Sequence, residues 1–176
     1  NLSIIIPAFN EEESIKPLVN LIFKNLDKNL EDFEIILIDD GSNDKTWDEI
    51  VNVSHKFENI VSIKLSENYG KSDALDAGFK VSKGNFVLTM DADLQDDPSE
   101  ILPLYSMIID NKYDLVSGWK KKRNDPLTKT IPSKFFNLVT RLFSGIKLND
   151  FNCGIKIYRK EVINSINLYG EMHRYI

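Results

Sequence analysis

The sequence predicts an α/β domain, a mainly parallel sheet flanked by helices, and three observations predict it. Short apolar runs alternate with amphipathic stretches along most of the chain, which is the pattern of βαβ units. Three of those runs end in polar clusters: Pro7-Ala8-Phe9-Asn10-Glu11, Asp39-Asp40-Gly41-Ser42 and Asp91-Ala92-Asp93. In a parallel sheet these endings share one edge, where α/β folds keep their ligand crevices. Finally, 176 residues with 42% hydrophobic content suit a single domain with a core of its own.

Each element follows from its local pattern. Leu2 to Ile6 reads as a strand ended by Pro7, and Ile15, Leu18, Val19, Ile22, Phe23 and Leu26 form one helical stripe. Glu34 to Ile38 is a second buried strand. Asn43 or Asp44 is placed to cap the next helix, whose stripe is Trp47, Ile50, Val51, Ser54 and Phe57. Ile60 to Leu65 is the third strand, and Gly70 to Lys83 a helix in which Ala74, Leu75, Ala77 and Gly78 allow close packing. Phe86 to Leu88 is the fourth strand. Pro98 opens a helix with Ile101, Leu104, Tyr105, Ile108 and Ile109 inward, and Leu115 to Trp119 is a fifth strand. Phe135, Phe136, Val139, Leu142 and Phe143 mark a later helix, and a short one is expected from Arg159. Crossovers between the parallel strands are expected to be right-handed.

The stretch NFVLTMDADLQDDP, residues 85–98, carries the densest chemistry. A hydrophobic strand runs directly into Asp91, Asp93, Asp96 and Asp97. Asp91 and Asp93 are two apart, so on a strand or its extension both carboxylates face one way. Two hard oxygen ligands suit Mg²⁺ or Mn²⁺, which bind through one or two carboxylates plus substrate phosphates. The competing reading is a solvated acidic turn that caps the helix opened by Pro98.

Composition excludes several classes. Acidic residues outnumber basic ones 27 to 22, which gives no general nucleic-acid-binding surface. The single cysteine, Cys153, cannot form an internal disulfide, and with two histidines it argues against a zinc site. No stretch approaches about 18 uninterrupted apolar residues, the length of a membrane-spanning helix. Lys120, Lys121, Lys122, Arg123, Lys129 and Lys134 stand against Asp125 alone, and such a basic loop in an acidic protein attracts a phosphate or an anionic membrane surface. PAFNEE stands where a dinucleotide-binding glycine motif would follow the first strand, and Gly70-Lys71-Ser72 lacks the upstream glycine of a P-loop.

IIIPAFNEEESI, LIDDGSNDKT, NYGKSDALDAGF, GNFVLTMDADLQDDP and NDFNCGIKIYRKEV, in this order and spacing, resemble family 2 glycosyltransferases of the GT-A fold. Within that family the chain is most similar to the polyprenyl-phosphate glycosyltransferases, through GWKKKRNDP, SKFFN and Asp150-x-x-Cys-Gly. The resemblance implies a donor pocket lined by Pro7, Ala8, Phe9 and Glu11 and completed by Ile38, Asp39 and Asp40. Lys71 would approach the diphosphate. Asp91, Ala92, Asp93 and Gln95 would meet the donor, with Asp91, Asp93 and Gln95 holding the metal and Asp91, Asp93 and Asp150 as catalytic candidates. Lys120 stands where dolichyl-phosphate mannose synthases show an arginine. Arg123 therefore becomes the preferred phosphate-binding candidate, beside Lys120 and Lys134, because a guanidinium grips an oxyanion bidentately.

The expected function is inverting transfer of a sugar from a uridine or guanosine diphosphate sugar to a polyprenyl phosphate, at the cytoplasmic face of a membrane. The alternatives are transfer to a saccharide hydroxyl and a non-catalytic nucleotide-sugar-binding module. Residues 1–97 would form the nucleotide-sugar half and 98–176 the acceptor-side half. The chain starts at Asn1 almost on its first strand and stops at Ile176, so a longer, C-terminally extended protein that contacts a membrane is expected.

Overall fold

A computed structural model describes residues 1–26, 30, 32–119, 153–166, 168, 170 and 172. Their elements, in order, are β1 (Leu2–Ala8), α1 (Ile15–Leu26), β2 (Phe33–Asp39), α2 (Thr46–Ser54), β3 (Ile60–Lys64), α3 (Lys71–Val81) and β4 (Phe86–Thr89). A 3₁₀ turn (Pro98–Glu100) leads into α4 (Ile101–Asp110), followed by β5 (Leu115–Ser117), β6 (Lys156–Arg159) and α5 (Lys160–Asn164).

The six strands form one sheet in the order β3-β2-β1-β4-β6-β5. β1 pairs in parallel with both β2 and β4, and β2 in parallel with β3. β6 runs antiparallel between β4 and β5. The chain builds outward from β1 through β2 to β3, then returns to place β4 on the other side of β1. That reversal makes the gap between β1 and β4 the switch point, where a crevice opens beyond the carboxyl ends of the strands.

Two apolar layers hold the sheet. Alternate residues of β1 and β2 point to opposite faces, as a pleated strand dictates. Ile4, Ile6, Ile35 and Leu37 join α1, α2 and α4 in one cluster, with Leu18, Ile22, Ile50, Ile101 and Leu104 among its members. Ile5, Ile36 and Ile38 face α3 and α5, against Ala74, Leu75, Phe79 and Ile163. Gly78 is the closest approach: a Cβ there would lie 2.5 Å from Ile5 Cγ2 and 3.1 Å from Ile38 Cδ1. The expected close packing of α3 is therefore real and falls on Gly78.

The predicted elements are present to within a few residues, with specific differences. Asp44, not Asn43, organises the start of α2: its Oδ1 accepts from the Thr46 N–H at 2.9 Å. In α2 the buried face uses Val53, and Val51 is only half-buried. In α4, Ile109 is 41% exposed, so the inward stripe is Ile101, Leu104 and Ile108 with Tyr105 at its margin. The fifth strand ends at Ser117, two residues earlier than expected. β6 was not anticipated. Four residues are too few to show a period, and its faces split between two cores, Ile157 on one side and Tyr158 on the other. The expected helix from Phe135 to Phe143 lies outside the described residues, as does the whole basic loop.

Candidate active site

The carboxyl ends of β1 and β4 frame a cleft of about 450 Å³, lined by Pro7, Ala8, Phe9, Glu11, Asp40, Asn68, Gly70, Lys71, Asp91, Ala92 and Asp93. Three strand endings singled out in the sequence therefore do meet in one place. The β1 ending is tied to the β2 ending by main-chain and side-chain bonds. The Asp40 N–H donates to the Ala8 carbonyl at 2.9 Å, the Asn10 N–H to Ser42 Oγ at 2.9 Å, and the Asn43 N–H to Asn10 Oδ1 at 2.9 Å. Glu11 is positioned from below, its N–H donating to Thr46 Oγ1 at 2.7 Å. Phe9 stays 43% exposed and offers an aromatic face to the cleft.

Asp40 clamps the loop that follows β3. Its two carboxylate oxygens accept from the Tyr69 N–H at 2.9 Å and the Gly70 N–H at 3.0 Å. Burial pushes its carboxyl above the ordinary value; the two N–H donors pull the other way, and the Asp73 and Asp39 charges add to the rise. Asp39 is fully buried beneath it. One of its oxygens accepts from the Ser42 N–H at 3.0 Å, and Oδ2 accepts no hydrogen bond among the described residues. Ile38 belongs to the core under α3 rather than to the cleft wall. Of the three residues expected to complete the pocket, only Asp40 reaches it.

The carboxylate pair sits on a loop, since β4 ends at Thr89. Ala92 lines the cleft between Asp91 and Asp93, so strand alternation is not what aims the pair. Asp93 Oδ1 accepts from the Gln95 N–H at 3.0 Å across Leu94, whose φ is 61°. This tight turn holds Asp93 in place, and Gln95 supplies its main chain there without lining the cleft. Asp91 Oδ1 is ion-paired with Lys71 Nζ, both side chains about one-third exposed. Its other oxygen packs against Gly154: a Cβ on that residue would lie 2.6 Å from Asp91 Oδ2 and 2.7 Å from Asp96 Oδ2. The Thr89 hydroxyl donates to the Gly154 carbonyl at 3.2 Å, which pins the lead-in to β6 against the acidic loop.

The donor set fits a divalent cation. Two hard carboxylates on one wall leave the remaining positions to water and phosphate oxygens, as Mg²⁺ and Mn²⁺ require. Among the described residues no cluster of three or more His, Cys, Asp or Glu forms a cation cage by itself. Asp150, Lys120, Arg123 and Lys134 lie outside the described residues.

Sequence reasoning assigned no site role to Asn68, Gly70 or Gly154, and it placed Asp96 in the acidic cluster without one. Asn68 and Gly70 were legible in principle, because a third parallel strand must deliver its following loop to the same edge. Gly154 stood in the Asp150-x-x-Cys-Gly motif, but nothing local placed it against Asp91. Its role comes from an antiparallel strand that the sequence did not reveal.

A model of glycosyl transferase family 2 matches residues 3–166. The chain is 38% identical over 180 residues to a dodecaprenyl-phosphate galacturonate synthase from Rhizobium johnstonii, covering 99% of this chain and 52% of that protein. It is 35% identical over 167 residues to an undecaprenyl-phosphate 4-deoxy-4-formamido-L-arabinose transferase from Pectobacterium atrosepticum, covering 94% and 51%. The chain thus spans about half the length of the curated relatives it matches. Among solved structures it resembles S. aureus TarS 1-349, at TM-score 0.68 and 23% identity, over 99% of this chain and 53% of that one. It also resembles the mannosyltransferase PcManGT from Pyrobaculum calidifontis in complex with GDP-Man and Mn²⁺, at TM-score 0.70 and 18% identity, over 96% and 47%. These structural likenesses establish the shared fold.

Proposed function

This chain belongs to glycosyl transferase family 2, and from that premise we propose that it transfers a sugar from a nucleoside diphosphate sugar to a polyprenyl phosphate. The observation that carries the reading is the meeting of Asp91, Asp93 and Lys71 with the β1 ending in one cleft at the switch point of the sheet. The lipid-phosphate acceptor is supported by the relatives, both named for sugar transfer to a polyprenyl phosphate and alike over nearly the whole of this chain.

The donor's nucleoside lies along Pro7, Ala8, Phe9 and Glu11, with Asp40 behind them, and its diphosphate lies towards Asp91, Asp93 and Lys71. Asp91 and Asp93 would hold a divalent ion, which would supply positive charge to stabilise the departing nucleoside diphosphate. Asp40 holds the main chain of Tyr69 and Gly70, and so sets where Lys71 enters the cleft. The Gln95 N–H orients Asp93. A phosphate oxygen of the acceptor forms the new bond to the anomeric carbon, on the face opposite the departing diphosphate, so the configuration inverts. A phosphomonoester with its second pKa near about 6 is already largely a dianion at neutral pH, so the acceptor needs positioning more than deprotonation. Residues 1–97 serve the donor and 98–176 the acceptor, with Arg123, Lys120 and Lys134 receiving the lipid phosphate and Asp150 orienting it. The reaction takes place at the cytoplasmic face of a membrane. Among the described residues no helix is long and apolar enough to cross one.

The test is a screen of uridine and guanosine diphosphate sugars against short polyprenyl phosphates with the full-length protein, read by product mass spectrometry. A glycosyl polyprenyl phosphate is the expected product. Turnover of hydroxyl-bearing saccharides alone would overturn the acceptor assignment. Binding of a donor without turnover of any acceptor would reduce the protein to a nucleotide-sugar-binding module. Asp93→Ala should abolish transfer and weaken nucleoside diphosphate binding in Mn²⁺ while changing little in EDTA. Equal nucleotide affinity with and without metal in the parent protein would refute the metal's part.

A further inference from the structure

We propose that Lys71 is the resident counter-cation of Asp91, and that metal and diphosphate enter the cleft as a coupled pair. The divalent ion takes the carboxylate oxygen that Lys71 holds, and the freed ammonium moves onto a phosphate oxygen. This rests on reading the cleft as the donor site.

The geometry of Asp91 is what points to the exchange. Its Oδ2 packs against the main chain at Gly154, too close for even a Cβ at 2.6 Å. Its Oδ1 is held by Lys71 Nζ. A divalent ion that binds Asp91 through Oδ1 competes with Lys71 for that oxygen, and the incoming ion and the ammonium repel each other. The pair is open to this exchange, with Asp91 32% and Lys71 35% exposed at the side chain. Lys71 is the first residue of α3 and reaches the cleft on a long, flexible stem, so its head can move without a shift of the helix.

The charge balance of the lining makes the exchange a coupled event. Lys71 is the single basic side chain among the described residues of the lining, against the carboxylates of Glu11, Asp40, Asp91 and Asp93. A diphosphate arriving alone meets those carboxylates and an ammonium already engaged. A metal ion arriving alone meets the ammonium at its ligand. Together they satisfy each other and leave Lys71 a new anionic partner. Metal affinity should then be low without nucleotide and rise sharply with it, and the difference should depend on the charge at position 71.

The experiment titrates Mn²⁺ into the full-length protein by electron paramagnetic resonance, with and without uridine or guanosine diphosphate, for the parent, K71M, K71Q and K71R. Removing a neighbouring like charge should raise Mn²⁺ affinity in the absence of nucleotide by about tenfold in both neutral variants. The enhancement of Mn²⁺ binding by nucleotide should shrink by at least as much, and K71R should behave as the parent. K71M and K71Q that bind Mn²⁺ alone no better than the parent, with nucleotide binding intact, overturn the exchange and leave the donor site standing. A parent protein that binds neither nucleotide in Mn²⁺ overturns the donor site itself, and the exchange with it.

Discussion

Gly154→Ala is the sharpest single perturbation of the site. The new Cβ would meet Asp91 Oδ2 at 2.6 Å, Asp96 Oδ2 at 2.7 Å and Asp91 Cγ at 2.8 Å, where ordinary contact begins at 3.4 Å. The carboxylates must therefore retreat by about 0.8 Å, because dispersion contacts become steeply repulsive inside that distance. Gly154 cannot yield instead without loss, since its carbonyl accepts from Thr89 and the next residues enter β6 between β4 and β5. The stability cost is modest, about 1–3 kcal/mol, the usual range for overpacking. The catalytic cost is larger, because a misplacement near 1 Å at a reacting site lowers rates by about 10²-fold. The assay pairs a urea unfolding midpoint with kcat/KM and the Mn²⁺ dependence of nucleoside diphosphate affinity. Gly78→Ala is the control: it inserts a Cβ 2.5 Å from Ile5 Cγ2 in the core beneath α3, and should cost stability with the Mn²⁺ dependence unchanged. Parent-like kcat/KM and metal dependence in Gly154→Ala would refute the placement of Gly154 against Asp91.

Two further outcomes follow from the buried Asp40 and the half-buried Lys160. Burial raises the Asp40 carboxyl, so the folded state holds that proton above the unfolded value of about 3.9. Its contribution to stability is complete below that value and is lost as pH rises through the raised one. Asp40→Asn should therefore flatten the fall in urea midpoint with rising pH over that window, and an unchanged slope would contradict it. Lys160 donates to the Phe79 carbonyl at 2.8 Å, the Ser82 carbonyl at 2.9 Å and the Ser82 hydroxyl, which closes the end of α3 onto α5. Lys160→Met keeps the stem but strands those acceptors, and should cost about 1.5–3 kcal/mol in urea unfolding, with Lys160→Arg restoring part of it.

The amino-acid pattern by itself determined the parallel half of this protein. Ile4–Ile6, Ile35–Ile38 and Phe86–Leu88 are continuous apolar runs because strands buried on both faces carry no polar alternation. Their endings are polar because the chain leaves the core there, and in a parallel sheet those exits share one edge. Pro7, Ala8, Phe9, Glu11, Asp40, Asp91, Ala92 and Asp93 all lie in those endings, and the family resemblance adds Lys71 to the same cleft. Tertiary structure decided what local pattern cannot encode. Ile38 and Asp39 sit in the same acidic strand ending as Asp40, yet packing under α3 and against Ser42 keeps them in the interior. β6 escaped notice because four residues split between two cores carry no period, and its antiparallel insertion beside β4 brings Gly154 from 63 positions beyond Asp91 to its carboxylate. The Lys71–Asp91 pair joins a helix start to a strand end 20 positions away. Such contacts depend on which strands neighbour each other, and strand order is set by how the whole core packs rather than by any one segment.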